Sequence, residues 1–150
     1  MSVSDLIVHA DEIEGFALPG DECVYSSQCL VDSDGVGSQA LAVNRFTLHA
    51  GQKLAGAAHP ADSDECYYVL RGRGRLYLGG DEVGNGSEAF EVGPDTAIFI
   101  PGGTYHRLEN DCDEEIVLLT IWPRLPTPGA NHIYDERKRA WGTAFRKKAR

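Results

Sequence analysis

The strongest constraint on this chain is its punctuation: short apolar or aromatic runs, each cut off by glycine, proline or acidic turn residues before a helix could form. VYSSQCL, ALAVNRFTL, ECYYVL, RLYLGG, TAIFI, YHRLE and EIVLLTIW follow one another from about residue 24 to residue 122. Runs this short, rich in β-branched and aromatic residues and spaced by turn signals, predict strands of an all-β sandwich or barrel. EIVLLTIW is apolar at consecutive positions, which predicts a strand covered on both faces. Pro123, Pro126 and Pro128 are expected to end the sheet, and a short helix is expected around residues 134–140, interrupted near Gly142. An N-terminal strand is expected around Leu6–His9.

A chain of 150 residues suffices for one domain with a proper core. It shows no boundary before its last 25 residues, so residues 1–150 are read as one unit with a tail at 126–150. The net charge is −9, but residues 131–150 carry +5 and the rest −14. An acidic body cannot neutralise phosphates, which argues against nucleic acid as a partner. RGRGR at 71–75 has no interleaved aromatics and reads as a hairpin turn. The basic tail is expected to fold back onto the body through Ile133, Tyr134, Trp141 and Phe145. No stretch reaches the ~20 apolar residues of a membrane span, and the N-terminus lacks the pattern of a signal peptide. The four cysteines include no CxxC pair. Free thiols and a cytoplasmic location are therefore expected, with Cys66 in the interior.

Two segments, residues 51–72 and 93–110, carry the chemistry. In the first, His59 is followed by PADSD and then Glu65, with Gly51 opening the segment and Gly72 closing it. In the second, Pro101, Gly103, His106 and Asn110 stand at fixed offsets. Along a strand, alternate residues face the same way. Glu65, Tyr67 and Val69 therefore share one face, as do His106 and Leu108. A carboxylate and two imidazoles in a barrel interior are costly to desolvate unless a divalent cation compensates them.

These segments resemble the two conserved motifs of the cupin superfamily. The second matches at every position from Pro101 to Asn110, with Gly93 two residues further from Pro101 than the family formula has it. The first departs twice: Ala57 stands where the family has its first histidine, and one extra residue separates His59 from Glu65. The resemblance implies a single-domain cupin, a double-stranded β-helix or jelly-roll barrel with a short helical tail. It also implies a metal site of His59, Glu65 and His106. Asp62 or Asp64 is a competing donor for the position lost at Ala57. Arg45, Tyr67, Phe99 and Trp122 are the expected substrate-lining residues, Arg45 because a barrel-facing guanidinium suits an anion. His49 is expected near the cavity mouth or at the surface.

Two histidines and a carboxylate with open positions form the donor set of non-haem iron oxygenases, so an Fe(II) oxygenase-type reaction on a small organic molecule is the first expectation. A Lewis-acid isomerase, cyclase or lyase using Zn, Mn or Ni is the second. A small-molecule-binding cupin without turnover is the third. A homodimer is expected, since small barrels of this kind leave strand edges uncovered.

Overall fold

The computed structural model describes residues 2–123 and 131–150. Among the described residues, eight strands form two antiparallel sheets: β1 (Tyr25–Val31), β2 (Leu41–Leu48), β3 (Glu65–Arg71), β4 (Gly74–Leu78), β5 (Glu88–Val92), β6 (Ala97–Ile100), β7 (His106–Glu109) and β8 (Ile116–Pro123). One helix, α1 (His132–Trp141), follows them. The larger sheet runs β1-β2-β8-β3-β6 and the smaller β5-β4-β7. The fold is the jelly-roll barrel that the motifs imply. Among the described residues no helix is long and apolar enough to cross a membrane.

Alternation along the strands builds the interior. In β2, Ala42, Asn44, Phe46 and Leu48 are buried; in β3, Glu65, Tyr67 and Val69. The apolar core joins Phe46, Leu48 and Val69 to Leu76, Ile100, Leu108, Ile116 and Leu118 of the other strands. β8 lies between β2 and β3, and its run Ile116-Val117-Leu118 is buried at consecutive positions, as its unbroken apolar sequence requires.

The motif glycines and asparagine have structural explanations. Gly72, at the β3–β4 turn, has φ +83°, and a Cβ there would lie 2.3 Å from the Glu115 carbonyl oxygen. No other residue fits that position. Asn110 is 1% exposed and closes the second motif as a staple. Its amide donates to the carbonyls of Leu48, His49 and Glu114, and its Oδ1 accepts from the Cys112 N–H.

The C-terminal segment packs on the barrel. Asn131 caps α1 by accepting from the Tyr134 N–H, and Gly142 ends the helix in the left-handed conformation. Ile133 packs against the core, Tyr134 meets Trp122 edge-on at 5.2 Å, and Trp141 meets Phe16 edge-on at 5.3 Å. Backbone bonds from Glu14 N to Arg146 O and from Lys148 N to Glu12 O tie the two ends of the chain together.

Several expectations need correction. The segment around Leu6–His9 is no strand. Val3–Leu6 is a 3-10 turn, with the Ser2 N–H donating to Asp5, and neither Leu6 nor Ile7 is buried. A short polar opening such as SVSD satisfies its own backbone locally, leaving nothing to pair with a sheet. β5 was hidden behind the glycine-rich loop because its first four residues are exposed and show no alternation. The helix is two residues longer at its start, and one at its end, than the expected span of 134–140. Cys66 is half-buried, and all four cysteines are unbridged. Pro126 and Pro128, and the start of the tail at 126, lie outside the described residues.

Candidate metal centre

Glu65 opens β3 and points inward, His106 opens β7 from the facing sheet, and His59 lies on the loop before β3. Three backbone links fix this arrangement. The Ala57 N–H donates to His106 O at 3.1 Å and the His106 N–H returns to Ala57 O at 3.0 Å. The Gly103 N–H donates to His59 O at 2.9 Å. The side chains of directly paired residues project to the same side of a ladder, so position 57 faces the same space as His106.

The donor atoms of His59, Glu65 and His106 lie within 4.8 Å of one another. His59 Nε2 is 3.3 Å and His106 Nε2 is 3.2 Å from the same oxygen, Glu65 Oε1. Neither approach has the alignment of a hydrogen bond, and Glu65 Oε1 is buried without a hydrogen-bond partner. His106 Nδ1 lies 3.1 Å from the Thr104 carbonyl oxygen, which can only accept. The ring's proton is therefore on Nδ1, and in the neutral ring Nε2 presents a lone pair to the carboxylate oxygen. Two electron-rich atoms facing each other in a buried site are what a cation would reconcile. The donor set therefore fits a divalent metal.

Asp62 and Asp64 take no part in the cluster. Both are exposed, and Asp64 Oδ1 accepts the Gly102 N–H at 2.9 Å.

The cluster opens onto a cavity of about 410 Å³ that reaches across the barrel to α1. This size is in the range of small-molecule sites. Tyr67 and Trp122 line it, and Tyr67 meets the His106 ring edge-on at 6.0 Å. Burial, with the Glu65 charge nearby, pushes the Tyr67 phenol far up, so it stays protonated and can donate.

Arg45 and Phe99 do not line the cavity. In β2 it is Asn44 and Phe46 that face inward; Arg45 is on the outer side, 3.9 Å from Asp11. LAVNRFTL mixes polar and apolar residues at both parities, so alternation alone cannot orient it. Phe99 is 63% exposed because Ile98 and Ile100 take the inner face of β6. His49 is at the surface beside Glu115, 3.8 Å away.

Sequence reasoning missed Arg137. It is 2% exposed, lines the cavity from α1, and donates to Ser27 Oγ at 2.6 Å and Asn44 Oδ1 at 3.1 Å. Its position was one signal, four residues after Ile133 and three after Tyr134, on the helix face that carries the apolar anchors. The surrounding basic residues obscured it.

A β-barrel with a convergent His-Glu-His cluster above a largely apolar cavity is a jelly roll that carries the donor set for a metal ion. The cupin domain family model matches residues 44–122, and the chain belongs to the cupin family. No curated protein matches it in sequence. Among solved structures, it is similar to a predicted oxalate decarboxylase from Thermotoga maritima, at 18% identity over 79% of this chain and 99% of that one, TM-score 0.64. It is also similar to KdgF from a Halomonas species, at 15% identity over 79% of this chain and 94% of that one, TM-score 0.63. A third is the oxalate decarboxylase of Bacillus subtilis, a structure concerned with its Mn(II) centres, at 22% identity, 67% coverage of this chain and TM-score 0.58. This chain spans 26% of that protein's length. At these identities the likeness is one of fold.

Proposed function

We propose that this protein is a divalent-metal-dependent cupin enzyme acting on a small organic molecule bound in the barrel. The observation that carries the reading is the buried Glu65 Oε1, flanked at 3.2–3.3 Å by two imidazole nitrogens yet bonded to neither. His59 Nε2, His106 Nε2 and Glu65 would hold the metal. Bound there, it supplies either redox chemistry with oxygen or Lewis-acid polarisation of the substrate.

The chain's own residues do the remainder. Thr104 fixes the His106 tautomer, and Gly103 anchors the His59 loop. Phe46 and Leu118 exclude water from the cavity wall, while the Tyr67 hydroxyl offers a neutral donor beside Glu65. With Ala57 in place of an imidazole, three protein donors leave positions open for exchangeable ligands, the mark of a catalytic rather than a structural site.

An Fe(II) oxygenase-type reaction is the first subclass, from the two-histidine, one-carboxylate set. Lewis-acid isomerisation, cyclisation or lysis on Mn, Zn or Ni is the second, favoured by the Mn(II) centres of the structurally similar oxalate decarboxylase. Elemental analysis of protein purified without chelator or added metal tests the common claim, and protein free of stoichiometric metal sinks it. Oxygen uptake by Fe(II)-loaded protein with candidate substrates separates the subclasses. Metal and ligand binding without turnover under either regime would leave a binding protein.

A further inference from the structure

Arg137 is a cation in the wrong place for a strut. A guanidinium buried this deeply ordinarily carries a carboxylate partner, because desolvating its charge alone is expensive. Here no carboxylate among the described residues forms an ion pair with it. Its acceptors are all neutral: Ser27 Oγ, Asn44 Oδ1 and, at 3.5 Å, the Ala144 carbonyl oxygen. The Phe16 ring lies 5.5 Å from the guanidinium carbon, and the Asp32 carboxylate acts on the guanidinium only through space, without a hydrogen bond to it. The buried carboxylate in the region, Asp32, is taken by the Tyr134 hydroxyl and the N–H groups of Asp34 and Gly35. Five N–H donors meet three acceptors, and Arg137 Nε is buried with no partner.

This unpaired cation lines the same cavity as His59, Glu65 and His106. Its place across the cavity follows from register. Asn44 on β2 pairs with Thr120 on β8, and Thr120 pairs with Tyr67 on β3. Neighbouring strands are about 4.8 Å apart, so Arg137's partner Asn44 and the Tyr67 beside the cluster are separated by about 10 Å. The wall between is largely apolar, with Phe46 and Leu118 on it.

We propose that Arg137 is the anion-binding residue of this cavity and that its ligand is a small organic carboxylate. The carboxylate pairs with the guanidinium, a short chain or single ring lies on the apolar wall, and the other end reaches toward His59, Glu65 and His106. The proposal rests on the reading of this cavity as the substrate site, but not on the presence of a metal.

The test uses benzoate and hexanoate, with benzamide and hexanamide as neutral matches of the same shape. Each is titrated by calorimetry, and by amide chemical shifts of the cavity strands, into metal-free protein and into protein of measured metal content. Each acid is expected to bind about tenfold or more tighter than its amide. Arg137→Gln removes that preference. Arg137→Lys, which keeps the charge and guards against a folding failure of the first variant, reduces it several-fold without changing amide affinity. The preference persists in metal-free protein and in His106→Ala. Preference without any metal binding would remove the metal reading and leave this one standing. Four results overturn the proposal: equal binding of acid and amide, no binding of either acid, an unchanged preference in both Arg137 variants, or a preference that vanishes with the metal while Arg137 is intact. The last would place the anion on the metal.

Discussion

Glu65 Oε1 lies 3.2 Å from His106 Nε2, while the opposite nitrogen of that ring donates to the Thr104 carbonyl. A ring held in this tautomer cannot give the carboxylate a proton without itself becoming a cation. The pair is therefore an arrangement waiting for positive charge. Glu65→Gln and His106→Ala should each lose most bound metal while staying folded, measured by metal stoichiometry alongside circular dichroism. Stoichiometry unchanged in both variants rejects the assignment of the ligands.

Ala57 is paired backbone to backbone with His106 and faces the same space. Ala57→His should therefore place a fourth donor at the cluster. Metal affinity is expected to tighten by on the order of tenfold, about 1.4 kcal/mol, and any turnover should slow because an open position is filled. Unaltered affinity in a metal titration would mean that residue 57 does not reach the site.

Asn110, itself buried, donates from one amide group to three carbonyls, the Leu48 carbonyl buried and those of His49 and Glu114 nearer the surface. Asn110→Ala strands them and frees the Cys112 N–H as well. The expected cost is about 2–4 kcal/mol, seen as a lower urea midpoint at unchanged slope. A loss below about 0.5 kcal/mol would show that water replaces the amide without penalty.

Asp34 gives the tail a pH dependence. Burial pushes its carboxyl up, but the Ala144 N–H, the Lys138 ammonium at 3.2 Å and the Thr143 hydroxyl outweigh that and hold it below the usual range. A carboxyl depressed in the folded state contributes stability that is fully present above its unfolded pKa, about 3.9, and is lost as pH falls through the lower folded value. Solvent screening keeps the contribution below about 1 kcal/mol. Asp34→Asn should therefore lower the melting temperature at pH 7 and lose its effect below the folded pKa. A melting difference that stays constant down through acid pH would contradict this.

The sequence announced the barrel because its strands are short, apolar and cut by residues with fixed backbone demands; Gly72, with its positive φ and the Glu115 carbonyl against it, is one such demand. Glu65 and His106 were legible for the same reason: they open strands whose parity is set by strongly apolar neighbours such as Val69 and Leu108. Arg45 and Phe99 were not, because parity fails where a run is polar on both faces or where an edge strand exposes an aromatic ring. Arg137 lay beyond the reach of periodicity in the strands. Its burial depends on how α1 docks against β1 and β2, contacts that bridge 93 and 110 residues of chain.

The reciprocal backbone bonds between Ala57 and His106 have a consequence for how such a site can change over time. Peptide groups make that clamp, and every amino acid except proline carries both. A histidine can be lost at position 57, or regained, without loosening the hold on His106. Coordination number is thus uncoupled from architecture, and a single codon can alter the reactivity of the centre while the barrel around it keeps its shape.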